Sequence, residues 1–386
     1  MQKYAAALIL TLVPLHGETQ AQQGVTETEV VLGTVQDLSG PLAVLGKDIL
    51  DGMKMRVDEA NAQGGVHGRT LRLITEDSGY DPRRSVLATQ KLVNRDKIFA
   101  MVGLLGSAPA IASMPILLEK NVLSFMPLTG ARETFDPPHR LKFAFSPPYF
   151  DGMKYNAPRI YQLTKSTKAC ILYQDDELGL EVLRGAEAGL KTINITLAEK
   201  TSHKRGATDF SSQIARLKGA NCDYVILGTV VREAVGAITE ARKLGFNPTF
   251  HGPASVYSTV VPRLGGKGMD GLYADMFAQF PYLDDASPDL RAWANRYKTQ
   301  IGTDPTVFSV QGYLIADRLV NALQKTGPNL TLERFIDTME STTIPPDMFG
   351  NPKQTYTPSK RLGSSLLRVS QLENGRWKVV LGYPEE

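Results

Sequence analysis

The sequence predicts an α/β protein of two lobes, each a mostly parallel sheet flanked by helices, with a ligand cleft between the lobes. Three observations carry this. From Glu29 onward, short β-branched runs alternate with segments of helical period, the rhythm of strands joined through covering helices. At Phe145-Ser146-Pro147-Pro148-Tyr149 the rhythm pauses and then restarts on the same plan, a duplication at domain scale. The 386 residues suffice for two or three domains at about 150 residues each.

Taken in order, residues 30–35 read as a buried strand closed by Ser39-Gly40-Pro41. Residues 46–62 read as a helix with Ile49, Met53, Met55, Val57 and Ala60 on its apolar face, stopped by Gly64-Gly65. Strands follow at 71–75, 99–103 and 122–126, with helices at 85–95 and 109–119. After the pause, 169–174, 193–197, 224–227 and 248–252 are expected strands, and 180–190, 211–217 and 233–244 expected helices. A strand at 271–277 leads back past Pro281 to helices at 288–300, 307–326 and 332–339. Residues 366–369 and 377–381 form an expected hairpin turned at Glu373-Asn374-Gly375. The expected lobes are 26–146 plus 280–350 and 147–279 plus 351–386.

Lys+Arg 43 against Asp+Glu 40 leaves +3, too near balance for a protein held to nucleic acid by phosphate neutralisation. Hydrophobic content of 42% with 22% charged residues is that of a soluble globular chain. Residues 1–21 read as a secretory leader, with Lys3 ahead of a short apolar run and Thr19-Gln20-Ala21 as the cleavage site. A membrane anchor would need nearly twenty apolar residues, and Pro14, His16 and Glu18 interrupt the run. No cysteine follows it, which argues against a lipoprotein. The expectation is a soluble, exported protein.

Catalytic motifs are missing. There is no GxSxG, GxxxxGK[ST] or HExxH, and Gly266-Lys267-Gly268-Met269-Asp270-Gly271 precedes a strand instead of opening a helix, which is the wrong context for a dinucleotide. His67, His139, His203 and His251 are scattered, and Asp175-Asp176-Glu177 reads more readily as a strand-to-helix turn than as a metal site. No catalytic residue, metal or cofactor is assigned. An exported hydrolase would need a nucleophile–base pair that the sequence does not display. In open parallel sheets ligands bind outside the strands' carboxyl ends, so the cleft is the expected site.

The segments Asp37-Leu38-Ser39-Gly40-Pro41, Asp58-Glu59-Ala60-Asn61-Ala62-Gln63-Gly64-Gly65-Val66-His67-Gly68-Arg69, Glu76-Asp77-Ser78-Gly79-Tyr80-Asp81-Pro82 and Pro127-Leu128-Thr129-Gly130-Ala131 resemble the leucine-binding protein family. So do Leu172-Tyr173-Gln174-Asp175-Asp176, Arg205-Gly206-Ala207-Thr208-Asp209-Phe210-Ser211 and Gly312-Tyr313. These are periplasmic solute receptors of branched-chain amino-acid-type ABC transporters. The resemblance implies a type I periplasmic-binding fold with three crossings, a monomer that serves an inner-membrane ABC permease and its ATPase. It also implies a ligand carboxylate held by Ser107 and by the loop Leu128-Thr129-Gly130. Ser107 stands just ahead of a predicted helix, where an anion or a simple helix cap would each fit.

The other wall departs from the family. Ala254 occupies the position of the acid that holds an α-ammonium group, and Leu178 and Val230 replace aromatic residues. A buried ammonium without a counter-charge is costly, so the expected ligand is a small carboxylate with an aromatic or branched apolar body and no amino group. Leu45 and Tyr149 complete the apolar wall, Tyr149 on the first crossing strand as either wall or hinge packing. Arg232 is read either as a polar contact to the ligand or as a solvent-exposed arginine, with Tyr80, Phe277 and Phe280 as further cleft candidates. An amino-acid receptor and a ligand sensor coupled to a signalling partner are the alternatives. Cys170 and Cys222 open neighbouring strands and are either bridged or two buried thiols.

Overall fold

The computed structural model describes residues 22–384, and the expected leader lies outside them. The first unit runs β1 (Glu29–Gln36), α1 (Ala43–Ala62), β2 (Thr70–Asp77), α2 (Pro82–Gln90), β3 (Ala100–Val102), α3 (Ser107–Glu119), β4 (Leu123–Phe125) and β5 (Lys142–Phe143). Its strands form a parallel sheet in the order β2-β1-β3-β4-β5. β1 reads as a continuous apolar run because both of its faces are covered. Val31 and Val35 pack with Ala110 and Leu117 of α3 on one face, whereas Val30 and Leu32 join Ile49 and Met53 of α1 on the other.

The second unit continues with α4 (Tyr149–Leu163), β6 (Ala169–Gln174), α5 (Glu177–Lys191), β7 (Glu199–His203), α6 (Ser211–Gly219), β8 (Tyr224–Gly228), α7 (Val231–Lys243), β9 (Thr249–Gly252), α8 (Val260–Gly265) and β10 (Tyr273–Met276). The chain then returns for α9 (Pro288–Ile301), α10 (Val307–Thr326) and α11 (Leu332–Ser341), and ends in β11 (Arg368–Glu373) and β12 (Arg376–Leu381). The second sheet has the order β12-β11-β10-β9-β8-β6-β7, parallel from β7 to β10 and antiparallel at β11 and β12. Asn374 and Gly375, at φ +50° and +75°, make the two-residue turn of the β11–β12 hairpin.

α10 returns to the first unit and lies on α1 at two glycine contacts. A Cβ on Gly52 would stand 2.0 Å from the Ser309 carbonyl oxygen, and one on Gly312 2.0 Å from that of Ile49. Cys170 of β6 and Cys222, just before β8, are joined as a disulfide with Cα atoms 5.9 Å apart, so the reading of two free thiols is set aside. The chain passes between the units three times, at β5–α4, β10–α9 and α11–β11. Those passages are tied together by the Ala144–Leu362 bridge and by the Gln279 N–H donating to the Phe349 carbonyl at 2.6 Å. No helix among the described residues is long and apolar enough to cross a membrane.

Two elements differ from expectation. Residues 193–197 form no strand: Ile193, Ile195 and Leu197 pack partly buried against the core, while pairing with β6 begins only at Glu199. α4 was not read at all, because Gly152, Pro158 and three tyrosines dilute its helical pattern. Tyr149 is accordingly the first residue of a helix and not part of a crossing strand.

Candidate ligand-binding site

β3 and β4 lie side by side, and their pairing continues past both ends through a bridge between Leu105 and Leu128. The Leu128 N–H donates to the Leu104 carbonyl at 2.8 Å and the Gly106 N–H to the Leu128 carbonyl at 3.1 Å. This register sets Ser107 against Thr129, whose hydroxyl oxygens are 2.7 Å apart and buried. The Thr129 hydroxyl oxygen also accepts the Ala131 N–H at 3.1 Å. Whichever hydroxyl donates within the pair, one O–H proton is left over for a ligand.

Gly106 precedes α3 at φ +100°, a conformation that suits glycine alone, and a Cβ there would meet the Tyr80 ring at 2.7 Å. Ser107 is therefore the first residue of α3 and makes no capping bond, so the cap reading does not hold. The N–H groups of Ser107, Ala108 and Thr129 meet no acceptor among the described residues. Free N–H groups at a helix N-terminus, with the helix dipole behind them, favour an anion. Tyr149 closes this side, its N–H donating to the Gly130 carbonyl at 3.0 Å. Burial pushes the Tyr149 hydroxyl above its usual range, while the nearby Gly130 N–H and the Thr129 and Ser107 hydroxyls act in the other direction.

The opposite wall comes from the second unit and is apolar. Leu178, Val230 and Ala254 are all buried there. Ser255 donates its hydroxyl proton to the Thr229 carbonyl at 2.8 Å. The nearby Asp176 is fully engaged: one oxygen accepts the Leu178 and Gly179 N–H groups as the N-cap of α5, and the other accepts from Gln174 and Arg205. This settles the Asp175-Asp176-Glu177 cluster as a strand-to-helix turn. Arg205 also lies 5.0 Å over the ring of Tyr80, a contact that joins the two walls at the cleft. His251 is structural, buried between the Tyr224 hydroxyl at 2.8 Å and Asp275 at 3.3 Å.

These walls enclose a cavity of about 50 Å³, lined by no Asp, Glu, Lys, Arg or His. Larger hollows of about 390 and 510 Å³ lie elsewhere, one beside α10 and the other around Arg132 and Lys353, away from the convergent strand ends. Ser107, Leu128, Thr129, Gly130, Tyr149, Leu178, Val230, Ala254 and Leu45 all line the small cavity, as do Tyr80 and Phe277. Arg232 does not. It is exposed in the first turn of α7, whereas Val230, with extended backbone, is the residue just before that helix. Phe280 instead packs edge to face with Tyr257 and lies against the ring of Tyr282. Sequence reasoning missed Leu42, Ser146, Ser255, Phe308 and Gln311. Of these, Gln311 carried a signal, as a polar residue inside the apolar stretch 307–316 of a helix.

A model of the family described as periplasmic binding protein matches residues 29–376. A Leu/Ile/Val-binding protein homologue of Brucella abortus is 25% identical over 337 residues, which covers 84% of this chain and 83% of the relative. Among solved structures, a fatty acid ABC transporter substrate-binding protein from Thermomonospora curvata superposes with a TM-score of 0.86 at 23% identity, covering 95% of this chain and 94% of its own. An ABC transporter solute-binding protein from R. palustris, solved with benzoate, gives 0.81 at 18% identity, covering 93% and 98%. The family match extends from β1 into β12 and so takes in both walls of the cleft. The chain belongs to the periplasmic binding protein family, on the leucine-binding-protein pattern with the type I fold, and members of this family are solute-binding proteins and not enzymes.

Proposed function

We propose that this protein captures a small organic carboxylate with an aromatic or branched apolar body and no α-amino group, and delivers it to an inner-membrane ABC permease and its ATPase. The observation that carries the reading is the unequal cavity: free N–H groups and a spare hydroxyl proton on one wall, and no acidic side chain on either. A carboxylate finds donors there, whereas an ammonium group would be buried without a counter-charge. The fatty-acid and benzoate ligands of two structural neighbours are in keeping with this.

The lobes in this reading are 26–146 plus 280–350 and 147–279 plus 351–386, and they close by bending near Pro147-Pro148, Pro281 and Asn351. At about 50 Å³ the cavity has room for roughly four water positions, so a ligand larger than a few heavy atoms enters with the lobes further apart. The protein acts as a periplasmic monomer, exported by its leader.

A thermal-shift panel on residues 22–386 tests the reading. Leucine is set against 4-methylpentanoate and its 2-oxo acid, and phenylalanine against phenylpropionate, coumarate, hydroxybenzoate and benzoate. A ligand at about 100 times its dissociation constant adds about 2.7 kcal/mol to the folded state. Stabilisation by acids and not by amino acids is the expected result. Stabilisation by leucine would overturn the proposal and return the protein to the amino-acid receptors.

A further inference from the structure

We infer that Gln311 reads a neutral hydroxyl on the body of the ligand, remote from its carboxylate, so that the ligand is a hydroxylated carboxylic acid; this rests on the carboxylate reading above. Gln311 stands in the second turn of α10, lines the cavity and is 3% exposed. Its carboxamide has no hydrogen-bond partner among the described residues, whereas Ser107, Thr129 and Ser255 in the same lining are each bonded. The unpaired amide faces the cavity, where a ligand group can meet it, and the helical neighbours one turn away, Val307, Phe308, Leu314 and Ile315, are apolar. Its place is not free to relax. Gly312 lies too close to the Ile49 carbonyl to admit a Cβ, so α10 is pressed on α1 with Gln311 held at the cavity edge.

The chemistry selects the partner. An amide presents both a donor and an acceptor, and a hydroxyl answers both. A second carboxylate or an ammonium would bring a charge into a lining that holds no opposite one. Geometry selects the position. α3, which starts at Ser107, packs on one face of the first sheet, whereas α1 and α10 pack on the other. The hydroxyl and the carboxylate are therefore held from opposite faces, which disfavours a 2-hydroxy acid.

Titration calorimetry on residues 22–386 tests this with benzoate and its 2-, 3- and 4-hydroxy derivatives, and with cinnamate against 4-coumarate. The wild-type protein should bind a 3- or 4-hydroxy acid at least about tenfold more tightly than the parent acid, and in Gln311→Leu the two should bind within about threefold of each other. Gln311→Met is the second variant, and circular dichroism and melting verify that each is folded. If the wild type binds parent and hydroxylated acids equally, or if both variants retain the preference, the role of Gln311 is wrong while acid binding stands. If the wild type binds leucine and no acid, both readings fall. Should neither variant fold, equal binding of the wild-type pairs still overturns the proposal.

Discussion

α3 and α5 each start directly after a buried parallel strand and each brings its first turn to the cleft, yet those turns are finished differently. α3 begins behind Gly106, which has no side chain to cap it, and the N–H groups of Ser107 and Ala108 stay free. α5 begins behind Asp176, whose carboxylate takes the Leu178 and Gly179 N–H groups and is itself paired with Arg205 at 2.8 Å. One helix end is open to an incoming anion, and the other already holds the protein's own. The residue at the N-cap, and not the fold, decides which wall can receive a carboxylate.

Breaking this asymmetry should have the largest effect. Ala254→Glu places a carboxylate in the apolar wall with no cation among the lining residues, and acid binding should fall by more than about 100-fold, a loss of several kcal/mol. Calorimetry with the tightest acid from the panel reads this, and an affinity kept within tenfold would mean that the ligand does not reach the second wall. Next in size is the disulfide, which only the second sheet possesses. Cys170→Ala with Cys222→Ser should cost about 2–4 kcal/mol in urea unfolding. An unchanged midpoint would show that the bridge does not stabilise the fold.

Ser107→Ala removes one hydroxyl from the donor wall and should weaken acid binding by about 1–3 kcal/mol. Leu178→Ala, on the other wall, provides the control for lost packing. Equal affinities of wild type and Ser107→Ala would take this hydroxyl out of the site.

The smallest effect asks whether burial penalises the protein's own carboxyl as it would a misplaced ligand charge. Burial raises Asp48 of α1 from 3.8 to about 6, against the Thr306 hydroxyl that donates to it at 2.9 Å. The folded state thus holds this proton more tightly than the unfolded chain does. Its contribution is greatest below about pH 4 and is lost as pH rises through 6. Asp48→Asn should flatten that part of the stability profile and raise stability at pH 7 by about 1–2 kcal/mol. Parallel wild-type and variant profiles between pH 4 and 7 would refute the shift.

The strand Ala169–Gln174 and the helix Val307–Thr326 were legible residue by residue, because β-branched runs bounded by turns, and apolar positions at helical spacing, are local signals. The helix Tyr149–Leu163 was not, since Pro158 and Gly152 oppose helix locally and packing overrides them. The same division runs through the cavity. Ser107 and Thr129 could be named from sequence, but that their hydroxyls lie 2.7 Å apart follows from the Leu105–Leu128 register. Arg232 and Val230 are two residues apart, and only the start of α7 between them, at Val231, shows that Val230 alone lines the cavity. Gln311 reaches the cavity because α10 comes back from the far end of the chain to lie against α1. By itself the sequence determined most of the strands and helices and the two-sheet plan with a cleft, through propensities that act over a few residues. The tertiary structure decided which side chains share that cleft, because strand register and helix rotation are set by packing between segments far apart in the chain.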